Sequence, residues 1–216
     1  MNRRSVYYIC GFALIVMAGL LGAAFWARLS VWPRQGGWDE RPLEGLKNFG
    51  AVPDFSLIER SGKPLRLSDL RGKIWIANFI YTACKDTCPL QSAEMAKLQA
   101  ELVDRADIRL VSISVDPKRD TPKVLSRYAK RYHADPERWL FLTGEKQSIY
   151  QLTEQGFRLS VVPVSDNEEE NNSAIIHSSR FVLVDDQMQI RGYYDSHDPE
   201  ALQRLRRDVK TLLRKG

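Results

Sequence analysis

The sequence predicts an α/β sandwich with a mixed central β-sheet, preceded by one N-terminal transmembrane helix. Three observations lead there. Residues 6–27 carry no charge. Residues 73–80 and 108–115 are short and almost wholly apolar, the mark of strands covered on both faces. Around them the chain alternates strand-like segments with stretches of helical period and ends on a strand pair and a helix, the order of a layered α/β fold.

The apolar run has Arg3 and Arg4 before it and Arg28 and Arg34 after it. About twenty apolar residues cross a bilayer as a helix. The apolar core of a cleaved signal peptide runs only about 7–15 residues. An uncleaved anchor over residues 6–28 is therefore expected after a short tail, 1–5, with Gly22-Ala23-Ala24 as a weak cleavage alternative. Two arginines in that tail favour a cytoplasmic N-terminus. The tail is too short for a long mitochondrial transit peptide, so the expected location is a bacterial inner membrane with the main domain facing the periplasm. Cys10 reads as a small apolar residue of the span. Residues 29–44, with Trp32-Pro33, Gly36-Gly37 and Trp38, read as a linker. Residues 45–216 suffice for one domain with a substantial core. The net charge of +5 comes from 32 basic and 27 acidic residues scattered among one another. No basic patch is interleaved with aromatics, which leaves nucleic-acid binding without support.

Within the domain, Val52-Pro53-Asp54-Phe55-Ser56-Leu57-Ile58 alternates toward a short strand, Ser61-Gly62-Lys63-Pro64 turns the chain, and Leu65-Arg66-Leu67 returns it. After the apolar strand at 73–80, a helix is expected from Pro89, which suits a first-turn position. Its apolar face is read as Leu90, Ala93, Met95, Ala96, Leu98 and Leu102. Residues 108–115 form the second buried strand. Thr121 is the expected N-cap and Pro122 the first residue of a helix reaching about Tyr132. A short strand at 139–142 precedes a helix over 145–155 that stops at Gly156. Residues 180–184 and 189–194 pair around Asp185-Asp186. Asp198-Pro199 opens a final helix carrying Leu202, Leu205, Val209 and Leu212, whose late Arg and Lys residues form a solvated face that complements the helix dipole.

Where the first buried strand hands over to a helix stand Cys84 and Cys88. An i,i+4 spacing brings both sulfurs onto one face if the chain coils there. A ring this small removes little chain entropy, so a purely structural disulfide is disfavoured. A working dithiol, a metal site, or both remain. A helix N-terminus stabilises thiolate, and Lys85 beside Cys84 is expected to push the same way.

These features resemble the SCO/SenC family of thioredoxin-fold copper proteins. The resemblance spans roughly residues 45–213. It rests on Pro53-Asp54-Phe55, Gly72-Lys73, Tyr81-Thr82-x-Cys84-x-x-x-Cys88-Pro89, Val115-Asp116-Pro117, Asp120-Thr121-Pro122, and His177 ahead of Phe181-Val182-Leu183-Val184-Asp185. It implies a thioredoxin-like sandwich in which Cys84, Cys88 and His177 bind one copper ion. The implied role is delivery of copper to the copper A centre of cytochrome c oxidase, with the copper A subunit or another copper chaperone as partner. The donor types agree. Soft thiolates suit copper(I), and one imidazole extends the site to copper(II). Three such ligands are too few for a closed structural zinc site. The polar stretch 165–173 fits a mobile segment that lets His177 swing. His133 and His197 read as surface or capping residues, and Asp86 as a turn residue. Lys85 stands where many members have proline, and Ile176 where the residue before the histidine is often acidic.

The alternative is a membrane-anchored thiol-disulfide reductase using Cys84 and Cys88, which would need no histidine. The three-residue spacer departs from the Cys-x-x-Cys of dedicated reductants. A thiol peroxidase is disfavoured, because the proline and threonine of a peroxiredoxin-type nucleophile motif are missing.

Overall fold

The computed structural model describes residues 46–159 and 179–214. The expected span at 6–28, the linker, the acidic stretch 165–173 and His177 lie outside the described residues. Among the described residues no helix is long and apolar enough to cross a membrane.

Among the described residues seven strands form one mixed sheet in the order β2-β1-β5-β4-β3-β6-β7. They are β1 (Ser56–Glu59), β2 (Pro64–Arg66), β3 (Ile74–Ile80), β4 (Ile108–Ser114), β5 (Trp139–Thr143), β6 (Arg180–Val184) and β7 (Ile190–Asp195). The helices are α1 (Thr87–Glu101), α2 (Pro122–Arg131), α3 (Lys146–Gln151) and α4 (Pro199–Leu213). A 3-10 turn at Leu67–Leu70 also forms, without a counterpart in the sequence reading. β3, β4 and β5 run parallel, linked by the α1 and α2 crossovers, while β6 lies antiparallel on the other side of β3. The β1–β2 turn passes through Gly62 at φ +83, a left-handed conformation that glycine adopts without Cβ strain.

All seven residues of β3 are buried, as its unbroken apolar run predicts. Its alternate side chains feed two cores. Ile74, Ile76 and Ile80 pack with Met95 and Leu98 of α1, Leu125 and Tyr128 of α2, and Leu202 and Leu205 of α4. Trp75, Ala77 and Phe79 pack on the opposite face with Leu67, Leu70, Ile149 and Phe157. Truncating one of these fully buried side chains to alanine costs about 2–5 kcal/mol.

Two expectations need correction. The buried side of α1 is Cys88, Gln91, Ser92, Met95 and Leu98, whereas Leu90 is 54% exposed and Ala93 is exposed. Counting apolar residues misplaced that face because Gln91 and Ser92 find polar partners inside. The Asn78 amide donates to Gln91 Oε1 at 3.4 Å, and Ser92 Oγ lies 2.9 Å from the Tyr128 hydroxyl. Second, the helix expected over 145–155 is α-helical only to Gln151 and widens into a π turn over Leu152–Gly156. A Cβ at Gly156 would come within 2.8 Å of the Pro53 ring, so glycine is what lets this turn reach the N-terminal segment.

Candidate metal centre

The site lies at the C-terminal ends of β3 and β4, where open α/β sheets present their loops for binding. Ile80 and Ser114, the last residues of these strands, pair with each other, and Val115 N–H continues the ladder onto Ile80 O at 2.9 Å. From Ile80 the chain turns through Tyr81-Thr82-Ala83 and is closed by Cys84 N–H on Tyr81 O at 3.2 Å. Helix α1 then starts at Thr87, with Asp86 in the N-cap position but making no side-chain cap. Pro89 falls in the first helical turn, where its missing N–H is no loss.

This geometry brings the two cysteines together. Both are free thiols and both are buried, Cys84 at 7% and Cys88 at 3% exposure. Cys88 N–H, one of the orphan donors of the first helical turn, points at Cys84 Sγ at 3.4 Å. Burial by itself raises the Cys84 thiol. Hydrogen bonds from the backbone N–H groups of Cys88 and Asp86 outweigh it, and contacts with the Cys88 and Tyr81 side chains act in the same direction. The net result is a Cys84 pKa below its ordinary value. Cys88 goes the other way, pushed well above the ordinary thiol range by burial, with Cys84 and Asp120 adding to the rise. Burial and a hydrogen bond to Cys84 likewise raise the Tyr81 phenol. Lys85 is exposed. The groups acting most strongly on Cys84 are backbone donors rather than this lysine.

The loop is tied down from beneath by Asp120, whose side chain is wholly buried. Its carboxylate accepts from Thr82 N–H at 3.0 Å, from the Thr82 hydroxyl at 2.5 Å and from the Ser114 hydroxyl at 2.6 Å. Burial holds its pKa above the ordinary carboxylate value. Sequence reasoning took Asp120 only as part of a helix start. Yet Thr121 fills the N-cap, accepting from Val124 N–H at 3.4 Å. A spare acid between a buried strand and a helix that already has its cap was the available signal. The Tyr128 hydroxyl, which donates to Cys88 O at 3.4 Å, had no such signal.

His133 and His197 are exposed, as expected. The first sits at a helix end, where its N–H meets Lys130 O, and the second lies 3.5 Å from the Asp195 carboxylate. Among the described residues no group of three or more His, Cys, Asp and Glu side chains is clustered as a metal site, so the described part of the centre is the cysteine pair. Two sulfur donors brought together where the loop enters α1, one favouring thiolate, make a soft and low-coordinate donor set. Such a set suits thiophilic ions and disulfide chemistry alike.

Comparison with known proteins places these features. The model of the SCO1/SenC family matches residues 45–214. The SCO1 protein homolog of Bacillus subtilis is 33% identical over 162 residues, covering 74% of this chain and 81% of that protein. The solved structure of BsSco, a member of the Sco family of cytochrome c oxidase assembly proteins in which a disulfide switch was identified, superposes with a TM-score of 0.65. It is 30% identical and covers 77% of this chain and 96% of its own. Arabidopsis thaliana ScoI with copper bound gives a TM-score of 0.63 at 28% identity, covering 77% of this chain and all of its own.

Proposed function

This chain belongs to the SCO1/SenC family, and from that premise we propose that it is a membrane-anchored copper metallochaperone serving assembly of the copper A centre of cytochrome c oxidase. One copper ion binds through Cys84, Cys88 and His177. The observation that carries the reading is the buried, reduced cysteine pair at the mouth of β3, with Cys88 N–H on Cys84 Sγ at 3.4 Å. Thiolates hold copper(I), and the histidine adds the nitrogen donor that copper(II) favours. The copper itself is cargo, and the chain's part is to keep two sulfurs paired and shielded from water. The domain follows an N-terminal anchor at 6–28 and faces the periplasm of a bacterial inner membrane. Its partner is the copper A subunit or a second copper chaperone.

The purified protein should hold one copper(I) per chain and lose it in Cys84→Ser or Cys88→Ser. The sulfur-to-copper(II) absorption should disappear in His177→Ala while copper(I) binding persists. Stoichiometric copper on Cys84→Ser would sink the reading.

A second reading is favoured by the opposite shifts of the two thiols. A low-pKa Cys84 beside a deeply buried Cys88 is the division of labour of an attacking and a resolving thiol. In that case the chain keeps the cysteines of a target protein reduced. Restoration of oxidase activity by His177→Ala as complete as by the unaltered chain would select this reading.

A further inference from the structure

Resting on the reading of Cys84 and Cys88 as a working pair, we infer that Asp120 is the positioning residue of that pair, holding the Thr82–Cys84 segment so that Cys84 meets the start of α1. Asp120 receives both the N–H and the hydroxyl of Thr82, two residues before Cys84, at 3.0 and 2.5 Å. A residue gripped at backbone and side chain together cannot rotate about either bond. The same carboxylate takes the Ser114 hydroxyl at 2.6 Å, and Ser114 pairs across the sheet with Ile80. Asp120 N–H in turn closes its own loop on Asp116 O at 2.9 Å. The carboxylate thus ties the end of β4 to the cysteine loop that leaves β3. Oxygen–oxygen separations of 2.5 and 2.6 Å fall in the range of hydroxyl bonds to an ionised carboxylate, about 2.5–2.7 Å, which are roughly twice as strong as neutral ones.

A buried carboxylate met by neutral donors is costly. Asparagine could fill the same space with little change, its Oδ1 taking Thr82 N–H and the Ser114 hydroxyl while its amide donates to a reversed Thr82 hydroxyl. Alanine could not, and would leave three donors unpaired around a loosened loop. Ring closure of a dithiol depends on how well its sulfurs are held together, so loosening the loop acts directly on that equilibrium.

The test uses the full chain in detergent, equilibrated with glutathione. One glutathione disulfide takes two electrons from the Cys84–Cys88 dithiol, giving the intramolecular disulfide, two glutathione thiolates and two protons. Asp120→Ala should lower the equilibrium constant for ring closure by about tenfold, since small misplacements of reacting groups carry factors of this size. Thr82→Val, which removes one of the three bonds at nearly constant volume, should fall between, and Asp120→Asn should stay within about threefold of the unaltered chain because its bonds persist. A role in stability alone would lower the melting temperature of Asp120→Ala and leave the glutathione equilibrium in place. That result, on protein shown folded by circular dichroism, overturns the inference. If Asp120→Ala does not fold, Thr82→Val decides, and an unchanged equilibrium there overturns it equally. Copper(I) affinity is measured in parallel and should weaken by about 10–100-fold in Asp120→Ala, the usual effect of removing a group that orients a ligand. An unaltered chain that binds no copper, together with a lowered glutathione equilibrium in Asp120→Ala, would refute the copper reading and leave the positioning role standing.

Discussion

Two buried aspartates stand near opposite ends of β3, and their surroundings differ in kind. Asp185 follows Val184, which pairs with Trp75 near the start of β3; Asp120 bonds Ser114, which pairs with Ile80 at its end. Asp185 accepts from the N–H groups of Gln187 and Gln189 at 3.0 and 2.9 Å and from the Arg191 guanidinium at 2.8 Å. Arg191 also reaches Leu46 O and Lys47 O, so this carboxylate pins the N-terminal segment and the β6–β7 hairpin through a neutralised pair. Asp120 is met by one amide and two hydroxyls, all neutral. The first arrangement holds the fold together. The second buries a carboxyl with no cation against it, which burial pushes toward its neutral form, and it does so beside the cysteine loop.

The largest test of that contrast replaces each carboxylate by its amide. Asp185→Asn turns an amide donor toward Arg191 and removes the opposite charge, and should cost about 1–3 kcal/mol in urea unfolding at neutral pH. Asp120→Asn should cost less, and its cost should shrink as pH rises. The sign follows from the direction of the shift. A folded-state pKa above the unfolded value contributes stability that is complete below the unfolded pKa, near about 4 for a carboxylate, and is lost as pH rises through the folded pKa. The unaltered chain loses that contribution between those limits, and the asparagine variant has none to lose. Unfolding curves at pH 4 and pH 7 decide. A gap between Asp120→Asn and the unaltered chain that widens toward pH 7 contradicts the assignment.

What was legible in the sequence follows the same division. β3, β4 and the capped start of α2 were readable because their signals are local: an unbroken apolar run, or Thr-Pro at a helix start. The Cys84–Cys88 pair was readable from its short spacing, although Cys84 precedes α1 instead of lying on it, and the two meet through Cys88 N–H on Cys84 Sγ at 3.4 Å. The buried face of α1 was not, because Gln91 and Ser92 are interior only by virtue of Asn78 and Tyr128, partners on β3 and α2. Asp120 was hidden for a related reason. Its role appears once Ile80 and Ser114 are known to be neighbours, a long-range pairing that no short motif states.

The contrast within the cysteine pair is the next to test. Cys84 is held below its ordinary pKa by helix-start N–H groups, and Cys88 is driven up by burial. The thiolate is the reacting form, so iodoacetamide at pH 7 should label Cys84 at least about tenfold faster than Cys88. Peptide mapping by mass spectrometry gives the order, and in urea the two rates should converge because both causes belong to the fold. Equal rates in the folded protein, or Cys88 reacting first, break the asymmetry on which the reductase reading leans.

The smallest effect is expected at Lys85, and it separates two sources of thiolate stabilisation. From sequence, this lysine looked like a contributor because it is the nearest cation in the chain to Cys84. In the structure it is exposed, whereas Cys88 N–H lies 3.4 Å from Cys84 Sγ in the interior. An exposed charge acts through water and is screened over about 8 Å at physiological salt, while a buried dipole in contact with the sulfur is not. Lys85→Ala should therefore change the alkylation rate of Cys84 by less than about twofold at 0.15 M salt, with a somewhat larger change at low salt. A fall of fivefold or more that persists at high salt would mean that the lysine folds over the sulfur and that side-chain charge, not the start of α1, sets the reactivity of this centre.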